Sequence, residues 1–113
     1  MVKAKSEIHC IADAVTFLGK VDKRLIASNT WIIKNGDAIL VRLYETDIIT
    51  YFPDDTFSIK TDGWLTQMTL SRMNQFNPRG WHFNREKKQL VASSVHEKHI
   101  YNSEHMDLRF PVK

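Results

Sequence analysis

Two separated groups of residues are of the types that a metal-dependent nuclease uses. Pro53, Asp54 and Asp55 are followed, further along the chain, by Glu86 and Lys88. Two carboxylates that converge on a divalent cation, with a lysine beside the attacking water, could hydrolyse a phosphodiester. However, Glu86 and Lys88 fall at the tip of a predicted hairpin, and Pro followed by Asp is typical of a tight turn. We therefore interpret Asp54 and Asp55 as turn residues and keep the nuclease set as an alternative.

The histidines of the C-terminal region are a second set with metal-binding chemistry. His96, His99 and His105 offer imidazole nitrogens, which zinc accepts as ligands. A structural zinc site needs four convergent ligands, and His9 and Cys10 are adjacent, so both are not expected to reach one ion. We interpret these histidines as exposed side chains, and we predict no cofactor and no bound metal.

Cations and aromatic rings alternate in residues 79–85, as they do on surfaces that bind single-stranded nucleic acid. Strand alternation places Trp81 and Phe83 on one side and His82 on the other. The alternative is that both aromatic rings pack beneath the preceding helix, and we favour it because so short a chain needs its aromatic side chains in the core. The candidate binding residues are Arg72, Arg79, Trp81, His82 and Arg85, with a second basic group formed by Lys20, Lys23 and Arg24.

The composition is that of a soluble globular domain. The chain has 113 residues, of which 42% are apolar and 26% charged, enough for one hydrophobic core. Its net charge of +3 comes from basic segments at both ends and an acidic middle, which favours a polyanionic partner on one surface. No run is long enough for a membrane span, and no apolar segment follows the basic N-terminus. With Cys10 as the single cysteine, we predict a cytoplasmic protein without an internal disulfide or a membrane partner.

Two segments have the apolar spacing of amphipathic helices. In residues 6–19, apolar side chains recur every three or four positions, and Gly19 stands just past the end. A short basic linker, residues 20–25, follows. Residues 66–77 repeat the helical pattern behind a cap at Thr66 and end before a proline. We predict an N-terminal helix and a second helix that packs on one face of a sheet.

Turn residues divide the middle of the chain into short strands. Asn35-Gly36 is typical of a two-residue hairpin turn and would set Lys34 opposite Asp37. Because both faces of that hairpin are largely apolar, we predict that it is covered on both sides.

The remaining turns complete the predicted fold. A turn over residues 53–56 would set Phe52 opposite Phe57, and residues 80–84 and 89–92 form a last hairpin. We predict an α+β fold: a small antiparallel β-meander of about four strands with a packed helix, an N-terminal helix and a further C-terminal hairpin. Residues 1–113 are expected to form a single domain with its core over 6–92, followed by a polar, His-rich and partly ordered tail, 93–113.

Short motifs follow one another along most of the chain. They are IASNTW at 26–31, AILVRL at 38–43, TDIIT at 46–50, PDDT at 53–56 and GW at 63–64, followed by RMN at 72–74. This succession resembles small bacteriophage-encoded proteins of unassigned function that share an IANNTxL…VRLHxTDIVT…PDGT…GGW pattern. The resemblance implies a protein of an infected bacterial cytoplasm and no particular activity. The family has glycine where this chain has Asp55, so either the turn needs no positive φ or the aspartate adopts it.

These observations favour binding over catalysis, because no motif commits the chain to an enzymatic reaction. We predict a small non-enzymatic binding protein that engages a host macromolecule, either a defence or replication protein or nucleic acid. The alternatives are a metal-dependent nuclease and an oligomer that sequesters a small ligand. The oligomeric state is left open, with a homodimer among the alternatives. Charge reversal at Arg79 and Arg85 is expected to weaken partner binding without unfolding the domain.

Overall fold

An antiparallel meander is the framework of the computed structural model, which describes residues 8–60, 66–86, 89–95, 98–101 and 109–111. Over these residues the main sheet has the strand order β1-β2-β3-β4-β5-β9, and a second sheet has the order β6-β7-β8. The fold is α+β, as predicted, with five consecutive meander strands where about four were expected. The elements are α1 (Ile11–Leu18), β1 (Lys23–Ala27), β2 (Thr30–Asn35), β3 (Ala38–Leu43), β4 (Thr46–Tyr51), β5 (Thr56–Ile59), α2 (Gln67–Gln75), β6 (His82–Glu86), β7 (Gln89–Ser93), β8 (Lys98–Tyr101) and β9 (Arg109–Pro111).

One face of the main sheet forms the hydrophobic core. Ile32, Val41, Ile49 and Ile59 lie side by side across β2 to β5, and each is at most 1% exposed. A bulge in β4 adds Ile48 to this face, so that two successive isoleucines of one strand are fully buried. The helices and β6 pack against these β-branched side chains, which suit a half-buried strand surface.

The opposite face of the main sheet is only partly buried. Trp31 and Ile33 are half-buried there, beside an ion pair in which Arg42 Nε lies 2.6 Å from Asp47 Oδ1. The hydrogen bond to Asp47 raises the pKa of Arg42 above its ordinary value. The described helices and the second sheet lie on the core side of the main sheet. The prediction that the β2–β3 hairpin is covered is therefore confirmed for its core face and not for the opposite face.

The register of the β2–β3 hairpin differs from the prediction. Lys34 lies opposite Ile39 rather than Asp37, so the predicted ion pair is wrong. The loop consists of Gly36 and Asp37, and Gly36, at its first position, has a φ of +64°. This is the arrangement of a type II′ turn, which needs glycine there. The residue of β3 that lies opposite each residue of β2 is two positions away from the predicted one, so each side chain still lies on its predicted face.

The β4–β5 turn also corrects a predicted pair. Phe57 lies opposite Tyr51 rather than Phe52. The backbone N–H of Phe52 donates to the Thr56 carbonyl at 2.9 Å, which leaves a three-residue loop. A shift of one residue exchanges the faces of a strand, so Tyr51, and not Phe52, is fully buried. Asp55 has a φ of +63°, so the aspartate itself adopts the positive φ that the sequence left undecided.

The predicted helices are present, with slightly different ends. The N–H of Gly19 donates to the Val15 carbonyl at 3.0 Å and ends α1, with the glycine at a φ of +62°. At the start of α2, Thr66 Oγ1 accepts a hydrogen bond from the N–H of Thr69 at 3.1 Å, which confirms the predicted cap.

Three segments that were predicted to be irregular form strands. The linker over residues 20–25 overlaps β1, an edge strand whose charged residues hide the usual alternation. In the predicted tail, β8 pairs with β7, and β9 pairs with β5 at the other edge of the main sheet. Short strands of this kind form because a neighbouring strand pairs with them, so their own composition does not predict them.

Tyr51 connects the core to both helices. It is fully buried, and its hydroxyl hydrogen is shared between the carbonyl oxygens of Phe76, at 2.5 Å, and Ile8, at 3.3 Å. Phe76 directly follows α2, and Ile8 precedes α1. One side chain of the sheet thus donates a hydrogen bond to the buried carbonyl groups of two segments that lie outside the strands.

Substitution Tyr51→Phe is expected to lower the free energy of unfolding by about 1–3 kcal/mol, because it leaves buried carbonyl groups without a donor. Urea denaturation measures the change. Tyr44→Phe is the matched control, since Tyr44 is 68% exposed, and it should change the stability by less than about 0.5 kcal/mol. Equal stability of the two variants would contradict the role of the Tyr51 hydroxyl.

The same residue predicts a loss of stability at alkaline pH. Burial raises the pKa of Tyr51 well above its ordinary value, with smaller contributions from Cys10 and Asp13. Its contribution to stability is therefore complete below the unfolded-state pKa of about 10 and is lost as pH rises above that value. Denaturation at a series of pH values should show a steeper decline above about pH 10 for the native protein than for Tyr51→Phe. Parallel profiles would overturn this assignment.

Candidate binding site

The structure does not bring the nuclease set together. Asp54 Oδ1 accepts a hydrogen bond from the N–H of Thr56 at 3.1 Å, within the β4–β5 turn. Glu86 ends β6 and lies 3.6 Å from Lys98 Nζ, and Lys88 is outside the described residues. Among residues that the structure describes, no group of three His, Cys, Asp or Glu side chains could hold a metal. The interpretation of Asp54 and Asp55 as turn residues is confirmed.

The histidines occupy separate positions. His9 Nδ1 lies 2.6 Å from the carbonyl oxygen of Asn77, a hydrogen bond between the segments that flank α1 and α2. His99 belongs to β8, while His96 and His105 are outside the described residues. The prediction that the C-terminal histidines are exposed and bind no metal therefore stays a prediction.

The basic hairpin retains three exposed candidates, which we call the hairpin surface: Arg79, His82 and Arg85. Trp81 is 3% exposed, and its ring packs edge-to-face on Phe57 with a centroid separation of 5.3 Å. The preferred interpretation of Trp81 as a core residue is thus confirmed, and it is removed from the binding surface. Strand alternation places His82 and Arg85 on opposite faces of β6.

Arg72 also lies in the interior, at 2% exposure. Its Nη1 donates to Gln75 Oε1 at 2.6 Å and its Nη2 to Asn29 Oδ1 at 3.2 Å, while its Nε has no hydrogen-bond partner. No carboxylate of the described residues pairs with the guanidinium. The expectation of an exposed Arg72 is corrected: this side chain is a buried cation that only neutral groups solvate.

The second basic group forms a mixed surface with apolar side chains. Three of the six large apolar side chains that are exposed among the described residues lie here: Val15 at 54%, Val21 at 50% and Leu25 at 47%. Apolar exposure beside cations is characteristic of protein interaction sites. We call this area the α1–β1 surface; it consists of Val15, Lys20, Val21, Lys23, Arg24 and Leu25, with the exposed Asp22 among them. Lys23 and Leu25 lie on the same face of the sheet as Trp31, and Arg24 lies on the opposite face, so this surface extends around the edge strand β1.

Two cations of the α1–β1 surface rest on aromatic rings. Lys23 Nζ lies 4.5 Å from the centre of the Trp31 ring, and the Arg24 guanidinium carbon lies 4.6 Å from that of Phe17. Arg24 Nη1 also donates to the Phe17 carbonyl at 2.7 Å. These contacts restrict the side chains before any partner binds, which lowers the entropy lost on binding.

The two basic surfaces lie at different ends of the sheet. The α1–β1 surface includes the edge strand β1, whereas β6 packs on Phe57 of β5. Four strand spacings of about 4.8 Å separate β1 from β5, a distance of roughly 19 Å. The two basic surfaces of the described residues therefore do not form one continuous patch.

A cavity of about 320 Å³ lies between the β3–β4 turn and the start of α2, and we call it the β3–β4 pocket. Its volume falls in the lower part of the range of small-ligand sites. Tyr44 and Glu45, both exposed, belong to the turn that borders it. Its apolar lining comes from Leu43, Ile48 and Met68, and its hydroxyl groups come from Thr46, Thr66 and Thr69.

Asn29 connects the pocket to Arg72. Asn29 Oδ1 accepts hydrogen bonds from Arg72 Nη2 at 3.2 Å and from Thr30 Oγ1 at 2.9 Å. Asn29 Nδ2 donates to the Tyr44 hydroxyl oxygen at 3.4 Å, and the N–H of Tyr44 donates to the Asn29 carbonyl at 3.0 Å. Tyr44 has a φ of +55°. The buried cation is therefore joined by hydrogen bonds to a residue that lines the pocket.

Sequence reasoning missed this pocket because its residues come from β3, a turn, β4 and α2. Glu45 and Thr46 have the composition of an ordinary polar turn, and no local signal places them near α2. The spacing of α2 did contain one signal, since Arg72 falls on the same helical stripe as Met73 and Phe76, both of which are buried.

Comparison with protein-family models, with curated proteins and with solved structures finds no match to this chain. Of the described helices, α1 and α2, neither has the length and apolar character that crossing a bilayer requires.

The β4–β5 turn provides a test of the assignment of Asp55. Asp55→Ala should lower the free energy of unfolding by about 1 kcal/mol, because a positive φ brings Cβ close to the backbone. Asp55→Gly should be at least as stable as the native chain, because glycine has no Cβ. Urea denaturation of both variants measures these changes. If Asp55→Gly lowered the free energy of unfolding as much as Asp55→Ala, the stability of the turn would come from the Asp55 carboxylate and not from the backbone conformation.

Proposed function

We propose that this chain is a small non-enzymatic binding protein that engages a macromolecule of a bacterial host. The proposal rests on the α1–β1 surface, where three exposed apolar side chains lie along a short stretch of chain with three cations and one exposed acid, Asp22. The resemblance to phage-encoded proteins supports a host cytoplasm as the site of action. A defence or replication protein is the partner class that follows.

A protein partner fits this surface better than nucleic acid does. Base stacking requires aromatic faces that are open to solvent. Lys23 and Arg24 already lie over the rings of Trp31 and Phe17, and Trp81 is in the core. Val15, Val21 and Leu25 instead suit an apolar contact, and the surrounding cations suit acidic side chains at its rim.

Charge reversal at the α1–β1 surface tests the proposal. The double variant Lys20→Glu, Lys23→Glu should reduce the capture of a specific partner from bacterial lysate by about tenfold, because it places acids opposite acids. Immobilised protein, with quantitative mass spectrometry of the retained proteins, measures the change. Both positions are exposed, so the variant should stay folded, with a loss of stability of only about 0.5–1 kcal/mol from the contact of Lys23 with Trp31.

The matched control is Arg79→Glu, Arg85→Glu, which makes the same change of charge on the hairpin surface. The sequence alone predicted weaker binding for this variant, but the burial of Trp81 leaves the hairpin surface without the aromatic ring of that prediction. Retention of the partner by this control, and its loss by the α1–β1 variant, supports the proposal. Loss only in the control would assign the interaction to the hairpin surface. Release of the captured material by nuclease treatment would identify nucleic acid as the partner and overturn the protein assignment.

The β3–β4 pocket favours a second function, the capture of a small ligand. A concave site of this volume with an apolar lining and a few polar groups is the usual form of a small-molecule site. Saturable binding of an uncharged aromatic probe, abolished by filling the pocket with Met68→Trp, tests this function.

A further inference from the structure

We propose that the β3–β4 pocket selects a small organic anion, with the apolar part of the ligand inside the pocket and its anionic group beside Tyr44. This inference rests on the second candidate function, the capture of a small ligand, and adds the chemical class of that ligand. Carboxylates, sulfonates and phosphate esters with an apolar body share the required chemistry.

The first observation is that no carboxylate of the described residues compensates the charge of Arg72. A guanidinium stays protonated at every physiological pH, and burial of a charge without a counter-ion is costly. Gln75 and Asn29 supply only neutral acceptors, and Nε has no hydrogen-bond partner. An anion bound beside Tyr44, the residue to which Asn29 links Arg72, would provide part of this missing negative charge.

The second observation is the direction of the hydrogen bonds that lead outward from Arg72. Asn29 Oδ1 accepts from both Arg72 and Thr30, which fixes this oxygen toward the interior and turns Nδ2 outward. Nδ2 then donates to the Tyr44 hydroxyl oxygen. The hydroxyl hydrogen of Tyr44 stays available as a donor, and each bond in the chain is polarised by the buried cation. Tyr44 lines the pocket, so the chain ends in a donor that suits an anionic oxygen.

Among the residues that the structure describes, the other charges at the pocket are those of Glu45 and the start of α2. The first N–H groups of α2 add partial positive charge near Thr66, in the same sense as Arg72. Glu45 is exposed beside the mouth and opposes an anion, but solvent screens an exposed carboxylate strongly. The inference therefore predicts opposite effects for changes at Arg72 and Glu45.

Two dyes with nearly the same aromatic body test the selection. Anilinonaphthalene sulfonate is an anion, and phenylnaphthylamine is its uncharged counterpart; both become fluorescent in an apolar site. Titration of the native chain should give saturable binding of both dyes, with the anion bound about tenfold more tightly. Met68→Trp should abolish both, and persistence of both in this variant would place the dyes outside the pocket and overturn the site.

Three variants then test whether the preference for the anionic dye comes from the charges near the pocket or from the shape of the pocket. Arg72→Met should remove most of the preference for the anion, Tyr44→Phe should reduce it by about threefold to tenfold, and Glu45→Gln should increase it by about twofold. The quantity compared is the ratio of the two affinities in each variant, so that an effect of the substitution common to both dyes cancels. Tyr44 and Glu45 are exposed, so their variants carry the test even if Arg72→Met does not fold.

The outcomes distinguish the inference from the function on which it rests. Equal affinity for the two dyes, or an anion preference that Tyr44→Phe and Glu45→Gln leave unchanged, would overturn anion selection while leaving ligand capture in place. Failure of both dyes to bind the folded native chain would overturn ligand capture and the inference together.

Discussion

The positions of both helices on the sheet depend on the hydroxyl group of Tyr51. The core face of the sheet is mostly apolar, and apolar packing does not fix the direction in which a helix lies. By bonding to carbonyl groups next to α1 and α2, Tyr51 ties both helices to one point of the sheet. Any displacement of either segment leaves a buried polar group unpaired, which is costly. The position of α2, and hence of the β3–β4 pocket, depends on this bond.

The faces of the strands could be predicted from the sequence, but their partners could not. Alternation assigned Ile32 and Val41 to one face correctly, because a register error of two positions preserves the face. The exchange of Tyr51 and Phe52 shows the opposite case, since a one-residue change in loop length reverses the strand. That length depended on Asp55 adopting a positive φ, which sequence alone left undecided.

The candidate sites were less predictable than the fold because their residues are distant in sequence. Residue type predicted exposure for Arg72, whereas helical spacing indicated burial, and spacing was correct. The α1–β1 surface was predicted only as a basic group, since exposure of Val15 and Leu25 depends on what packs beside them. An interior cation with neutral partners is a property of three-dimensional packing, and composition does not reveal it.

The pairing of β9 with β5 has a consequence for the order of folding. Strands β1 to β5 pair with their neighbours in sequence, so these contacts close short loops and form early. The pairing of Thr56 with Pro111 closes a loop of about half the chain and forms late by the same reasoning. Until then β5 is an open edge that can accept a strand from another molecule. The interval before β9 docks is therefore the stage at which this protein is most vulnerable to aggregation.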